Sequence, residues 1–262
     1  MKKLLPLLTL LLWPTFAYGE YQILESRPKV RWLPFIEGLA LEFSVPIITT
    51  DHDFDSTTDP KLSLDSVLAG TNLGLEYKGN SLYLQLYLNI GVGEADSNLD
   101  VTNNTGITFD AINIDSLTAA GVYFLQGPFI LSVYTGVGVE DTDYEYNDQG
   151  DKETISFVYV YFPIGAKLEL LVSPNLKVAV DFTLRFLFAG EEETDDGNTT
   201  ITADLEPSVG VKVSFPLDFI LPPFVSLSLT PWLKYQPFQP QDTFVDSEIF
   251  FFGVNIGIKF YF

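Results

Sequence analysis

The chain has 262 residues, no cysteine, and 35 acidic against 14 basic residues, a net charge of -21, yet 47% of it is hydrophobic and 15% aromatic. The absence of cysteine excludes disulfides, thiolate metal sites and N-terminal lipidation. The acidity disfavours nucleic acid and other anionic partners. Charge and hydrophobicity at these levels must be segregated along the chain.

The first element is "MKKLLPLLTLLLWPTFAYGE". Lys2 and Lys3 precede a short apolar run, interrupted by Pro6 and Pro14, that ends on small residues at Ala17 and Gly19. This is the layout of a secretory signal peptide, spanning residues 1–19 with cleavage after Gly19. Residues 20–33 read as a short lead-in. No later stretch reaches the 18 uncharged apolar residues that a transmembrane helix needs.

From residue 34 onward the dominant signal is alternation with a period of two, the signature of strands with one apolar face. Ten segments carry it: 34–47, 64–78, 81–93, 110–125, 128–140, 154–171, 175–189, 200–215, 223–236 and 248–262. In 81–93, Leu82, Leu84, Leu86, Leu88, Ile90 and Val92 share one face. In 154–171 the apolar face runs from Val158 to Leu170, opposite Tyr159, Tyr161, Lys167 and Glu169. In 175–189 it runs from Leu176 to Phe188, opposite Lys177, Asp181 and Arg185. Glu37 falls on the apolar parity of the first segment and is expected at a rim.

The connections sort into two kinds. Lys78–Asn80, Gln126–Pro128 and Ser173–Asn175 are tight, and Pro216–Pro223 is a longer apolar link. The segments 48–63, 94–109, 141–153, 190–199 and 237–247 are long and acidic. Short and long links alternate along an even number of strands, which puts both chain ends on the short-turn side. A soluble sandwich would bury one face of each strand without sorting its loops by length and charge. A transmembrane β-barrel predicts both features. Most segments also meet the ~9–11 residues of a spanning strand. The expected fold is therefore all-β: an antiparallel up-and-down transmembrane barrel of about ten strands over residues 34–262. Pro163, Pro207 and Pro231 lie inside predicted strands and call for bulges or rim positions.

The last strand has Val254, Ile256, Ile258, Phe260 and Phe262 on one face. This aromatic, Phe-terminated strand resembles the assembly signal of Gram-negative outer-membrane barrels. The resemblance implies an outer-membrane location with external acidic loops and periplasmic termini. It also implies contact with outer-membrane lipid and lipopolysaccharide, and recognition by the barrel-assembly machinery. An extracellular ligand is expected but not identified.

The inward face carries Glu42, Glu76, Lys167, Glu169, Lys177, Asp181, Arg185, Asp204, Glu206, Lys212, Lys234 and Lys259. Charges of both signs in a polar interior are expected to form a paired network, with a selectivity filter as the sharper alternative. Tyr83, Tyr87, Tyr123, Tyr134, Phe157, Tyr159, Tyr161, Trp232, Phe251 and Tyr261 also point inward, enough bulk to fill a barrel of this size. Outward aromatics near the turn side (Tyr77, Phe124, Phe129, Phe215, Phe260 and Phe262) suit an interfacial girdle.

In the acidic segments, Asp51, Asp53, Asp55, Asp148, Asp151 and Glu153 offer oxygens for weak binding of Ca2+ or Mg2+, without the full calcium-loop pattern. No other cofactor is expected. The only histidine is His52. Ten strands with Asp51, His52 and Asp53 at the rim are similar to omptin proteases, whose Asp–His couple faces an aspartate pair, but no matching omptin motif accompanies them. A lipid hydrolase with a Ser–His pair would depend on the same histidine. The leading expectation is a non-catalytic structural or surface-binding barrel. A narrow channel for small solutes or cations is the first alternative, and a hydrolase centred on His52 the second.

Overall fold

The computed structural model describes residues 37–54, 63–98, 107–148, 151–195, 197–221, 224–241 and 245–262. The expected signal peptide and lead-in, and Asp55, lie outside them. The described strands are β1 (Gly38–Phe54), β2 (Ser63–Gly79), β3 (Leu82–Ser97), β4 (Thr108–Gln126), β5 (Phe129–Asp148), β6 (Asp151–Ser173), β7 (Leu176–Asp195), β8 (Thr200–Asp204), β9 (Ser208–Ser214), β10 (Leu217–Leu221), β11 (Val225–Phe238) and β12 (Ser247–Tyr261). β1 to β7 each pair antiparallel with the next, β7 pairs in turn with β8, β9 and β10, β11 pairs with β9, β10 and β12, and β12 returns to β1 from Ala40↔Tyr261 to Phe54↔Ser247. The result is a closed ten-stave barrel with up-and-down topology.

Twelve strands make ten staves because the eighth is broken twice. β8, β9 and β10 follow one another between β7 and β11. The breaks fall at Leu205–Pro207 and Phe215–Pro216, where a proline cannot donate to the ladder. Side chains and isolated backbone bonds close the seam: Glu206 N donates to Gln239 O (2.7 Å), Ser208 Oγ to Pro237 O (2.7 Å) and Phe215 N to Pro231 O (2.9 Å). The Pro216–Pro223 segment is thus not the long turn that its composition suggested. Leu217–Leu221 is strand, and Asp218 within it faces inward. Pro163 stays in β6, where the β5–β6 ladder skips it and Thr135 Oγ1 donates to its carbonyl (2.8 Å).

The alternating apolar residues point outward as expected. Phe43, Val45, Ile47, Leu86, Val92, Ile164, Phe182 and Ile256 are all 40–55% exposed, in a band around the wall. The strands continue past this band. β1 reaches Phe54 rather than residue 47, β5 reaches Asp148 rather than 140, and β7 reaches Asp195 rather than 189. Beyond the band the outward residues are acidic, so the apolar alternation stops while the hydrogen-bonded ladder goes on. Much of the sequence read as acidic loop is therefore strand.

Large inward rings lie across cross-strand glycines. Tyr161 stands opposite Gly138, Tyr134 opposite Gly165 and Trp232 opposite Gly253. A Cβ on any of these glycines would enter the partner ring. Gly138→Val is expected to destabilise the barrel by about 1–3 kcal/mol through overpacking. The urea midpoint of the refolded protein checks this, with Gly127→Asn as the control because the space beside Gly127 is open and asparagine tolerates the left-handed region. The control is itself expected to lose a little stability, since Gly127 has a φ of +60°.

Candidate functional site

The lumen is filled in tiers. Nearest the short turns is a chain of ion pairs. Lys78 pairs with Glu76 (2.6 Å) and Glu169, and Lys167 pairs with Glu76 and Glu169 (the latter at 3.9 Å). Lys177 joins Glu169 (3.1 Å) to Asp218 (3.1 Å), and Lys259 joins Asp218 (3.2 Å) to Glu42 (3.3 Å). This tier has four bases and four acids.

A second tier sits higher. Arg185 Nη2 donates to Glu140 (2.7 Å) and Asp115 (3.3 Å), Lys234 pairs with Glu140, and Lys212 lies 3.7 Å from Asp115. The Arg185 guanidinium is 3.7 Å from the Tyr161 ring centroid. Asp115 also accepts from Tyr87 (2.9 Å) and Tyr161 (2.9 Å), and Glu140 from Tyr159 (2.6 Å) and Asn113 (2.9 Å). Between the tiers, Asp181 accepts a bond from Tyr134 (2.6 Å). Across the whole lumen, seven bases meet seven acids. Every basic residue whose side chain the structure describes belongs to this network.

The structure brings together ten of the twelve charged residues expected inside. Asp204 and Glu206 are corrected: both are exposed, because Ala203 and Leu205 take the inward positions of the broken eighth stave. Glu37 takes the rim position expected of it. It precedes the first strand, Gly38 has a φ of 125°, and the Glu37 carboxylate accepts from inward Tyr123 at 2.7 Å. The network also uses Lys78, Asp115, Glu140 and Asp218, which sequence parity had not singled out. Glu140 lay at the predicted end of its strand and Asp218 in a predicted turn. The expected inward rings are all in place, and the girdle residues Phe124, Phe129, Phe215, Phe260 and Phe262 are exposed on the outer wall. Ile256, Ile258, Phe260 and Phe262 of the terminal strand are exposed there with them.

The third tier, at the loop end, is aromatic. His52 stacks on Phe54 (centroids 4.2 Å) and packs against Phe157 (4.8 Å), Tyr144 (5.7 Å) and Phe238 (6.3 Å). It is fully buried, its Nε2 lies 3.2 Å from Ser247 Oγ, and its Nδ1 has no partner. Asp51 and Asp53 point to the opposite face of the sheet. His52 is flanked by these outward carboxylates, so it lies beyond the apolar band. Burial pushes its pKa down to about 3. Glu192, between outward Glu191 and Glu193, is buried in the same end of the lumen, and burial pushes its carboxyl up to about 7.

The signs are opposite. Folding keeps His52 neutral, so its penalty appears as pH falls below the unfolded value near 6.5 and grows until about 3. Glu192 is favoured protonated, so its penalty appears as pH rises above its ordinary value of 4.5 and is complete above about 7. His52→Phe is therefore expected to stabilise the barrel more at pH 4.5 than at pH 8, and Glu192→Gln more at pH 8 than at pH 4.5. Urea midpoints at the two pH values check both.

Outside, above the apolar band, acids face acids across the ladders: Asp51↔Asp65, Asp65↔Asp96, Glu94↔Asp110, Asp110↔Glu145, Asp53↔Glu248 and Glu191↔Asp204. Directly opposed like charges destabilise a sheet. The Asp51 carboxyl is pushed up, first by partial burial and then by Asp53 and Asp65. Asp148 and Asp151 are backbone partners. Among the described residues, no three acidic or histidine side chains converge on a metal-sized point.

No family model and no curated protein matches the chain. Among solved structures, the outer membrane protease OmpT from Escherichia coli is similar over 86% of this chain and 97% of its own, with a TM-score of 0.63 and 8% identity. The chain has the fold of a Gram-negative outer-membrane β-barrel. The translocator domain of the autotransporter NalP from Neisseria meningitidis (11% identity, TM-score 0.47, 86% and 88% covered) and OprG from Pseudomonas aeruginosa (8%, 0.40, 86% and 96%) are similar more loosely. At these identities the likeness concerns the fold alone.

Proposed function

We propose that this protein is a closed, non-catalytic outer-membrane barrel that acts as a structural or surface-binding element, with its acidic end outside and its termini in the periplasm. The observation that carries the reading is the charge-balanced lumen. Thirteen of its fourteen charges lie in ion pairs that tie the staves together across the lumen, Asp181 accepts from Tyr134, and a tier of stacked rings fills the loop end; breaking any pair exposes a charge to a medium of low dielectric. Refolded into a planar bilayer, the protein is expected to be silent. Steady single-channel steps would favour the narrow-channel alternative and overturn this reading.

The environment of His52 supports a non-catalytic role. A general base needs access to the proton it removes and a partner for the charge it gains. Here the ring is sealed among aromatics, and its neighbouring aspartates face away.

The collar of opposed acids supports association with phosphate-rich lipid through divalent cations. A divalent ion between facing carboxylates relieves their repulsion and leaves valence for a lipid phosphate. The melting temperature of the refolded barrel is expected to rise with millimolar Mg2+ and to fall back with EDTA. An ionic-strength-matched NaCl control separates this from simple screening. An identical rise with NaCl would remove the bridging role. Recognition of Val254–Phe262 by the barrel-assembly machinery belongs to the same reading.

A further inference from the structure

Between the two charged tiers lies a cavity of about 130 Å³, bordered on the upper-tier side by Arg185, Lys212, Asn89, Tyr87, Tyr161 and Trp232, and also by Glu42, Glu76 and Lys259, which are paired within the lower tier. Its charges are unevenly satisfied. Arg185 is 1% exposed and spends only Nη2 on acids, while its Nε and Nη1 are buried without a partner. A buried guanidinium donor left unpaired is costly. The Asn89 side chain, also buried, has an unpartnered Oδ1. Its amide can rotate to offer Nδ2 instead.

The upper tier holds three bases against two acids, and both acids are already crowded with donors. Lys212 is the loosest member. It reaches Asp115 only at 3.7 Å and the Tyr87 hydroxyl at 3.3 Å, and its ammonium lies over the Tyr87 and Trp232 rings at 4.6 and 5.2 Å. The uncompensated positive charge of this tier is thus on the cavity wall. The balancing charge, Asp181, also borders the cavity. It lies four residues below Arg185 on the same strand, held by Tyr134 and, among the described residues, without a base in ion-pair range.

We propose that this cavity is a binding site for one small monovalent anion, a halide or a small carboxylate, held by Arg185 and Lys212. The volume suits it: an engineered apolar cavity of about 150 Å³ takes in benzene, so a halide or acetate fits with a water or two. A guanidinium and an ammonium converging from neighbouring staves, β7 and β9, supply charge-assisted donors from two directions. The site is independent of whether the lumen conducts. In a closed barrel it is an internal counter-ion site. If the bilayer recordings instead show steps, the same site predicts that they favour anions.

Trp232 reports on the cavity directly, since it is buried, borders it, and donates from Nε1 to Asn255 (3.0 Å). With Trp13 removed by processing and Trp32→Phe introduced, it is the only tryptophan of the mature chain. Iodide is expected to quench its fluorescence in the refolded protein, with caesium far weaker at equal ionic strength and acetate competing. Lys212→Gln, at the least tightly paired edge of the network where the side chain is 20% exposed, is expected to fold and to weaken iodide quenching at least about fivefold, a modest share of one charge-assisted contact. Acrylamide quenching, which carries no charge, should be unchanged in that variant. Absence of iodide quenching, stronger quenching by caesium (which would put a cation beside Asp181), or iodide quenching unaltered by Lys212→Gln would each overturn the assignment.

Discussion

Glu140→Ala is expected to destabilise the barrel by about 3–5 kcal/mol, the cost of leaving a buried charge without its partner. Glu140 is fully buried and accepts from Arg185 (2.7 Å), Lys234, Tyr159 (2.6 Å) and Asn113 (2.9 Å). Removing the carboxylate strands two cations beside each other and leaves the Tyr159 phenol without its acceptor, while the Asn113 amide keeps Thr142 (2.8 Å). Against a total stability of ~5–15 kcal/mol, this is a large fraction. The double variant Glu140→Leu with Lys234→Met should recover much of the loss, because an ion pair exchanged whole for apolar groups of similar size is often neutral. Arg185 would still keep Asp115 (3.3 Å). Urea unfolding in lipid vesicles measures all three proteins. If Glu140→Ala lost less than about 1 kcal/mol, the lumen would be hydrated enough to screen its charges, and the closed-lumen reading would fail with it. The same variant loosens the tier between the cavity and the aromatic end, so brief conductance in Glu140→Ala and silence in the parent would tie the network to closure.

The fold was legible because lipid contact writes itself into sequence parity. Leu82 to Val92 and Val158 to Leu170 each keep one face apolar, and the structure turns those faces out. Strand ends were not legible, for the same reason. Past Ile47 the outward residues of β1 are Thr49, Asp51 and Asp53, so the apolar signal ends while the ladder with β2 and β12 continues. The network was half legible. Lys167, Glu169, Lys177, Asp181 and Arg185 sit in unbroken strands, and counting by two places them. Asp204 and Glu206 failed because the eighth stave breaks at Pro207, and a break resets the parity. Asp218 was missed because a short strand between two prolines reads as a turn. Which acid meets which base depends on contacts across the barrel, such as Lys78 with Glu169 and Lys234 with Glu140. Local sequence carries no signal for partners that far apart. His52 shows the converse: Asp51 and Asp53 beside it suggested a shared site, but adjacent residues in a strand face opposite sides.

The outer wall is tested by placing one charge at two heights on the same face of β1. Val45 is 55% exposed, lies between Phe43 and Ile47, and pairs with outward Ile256. Asp51 is six residues further, about 20 Å along the strand. It is on the same face, with Asp65 opposite it on one side and Asp53 beyond it. Val45→Arg is expected to cost about 2–4 kcal/mol in a bilayer, the penalty for a cation on the lipid face near the midplane. Asp51→Arg should cost nothing and raise stability slightly, since it replaces one of several opposed acids with their counter-charge. If water covered the wall, both changes would be surface substitutions worth no more than about 0.5 kcal/mol, and Val45→Arg would improve solubility. Unfolding midpoints of the two variants in vesicles, measured side by side, therefore discriminate by sign. A large loss at Val45 together with a gain at Asp51 requires a solvent that changes from hydrocarbon to water between those heights. Equal, small effects would mean that the apolar band meets something other than lipid.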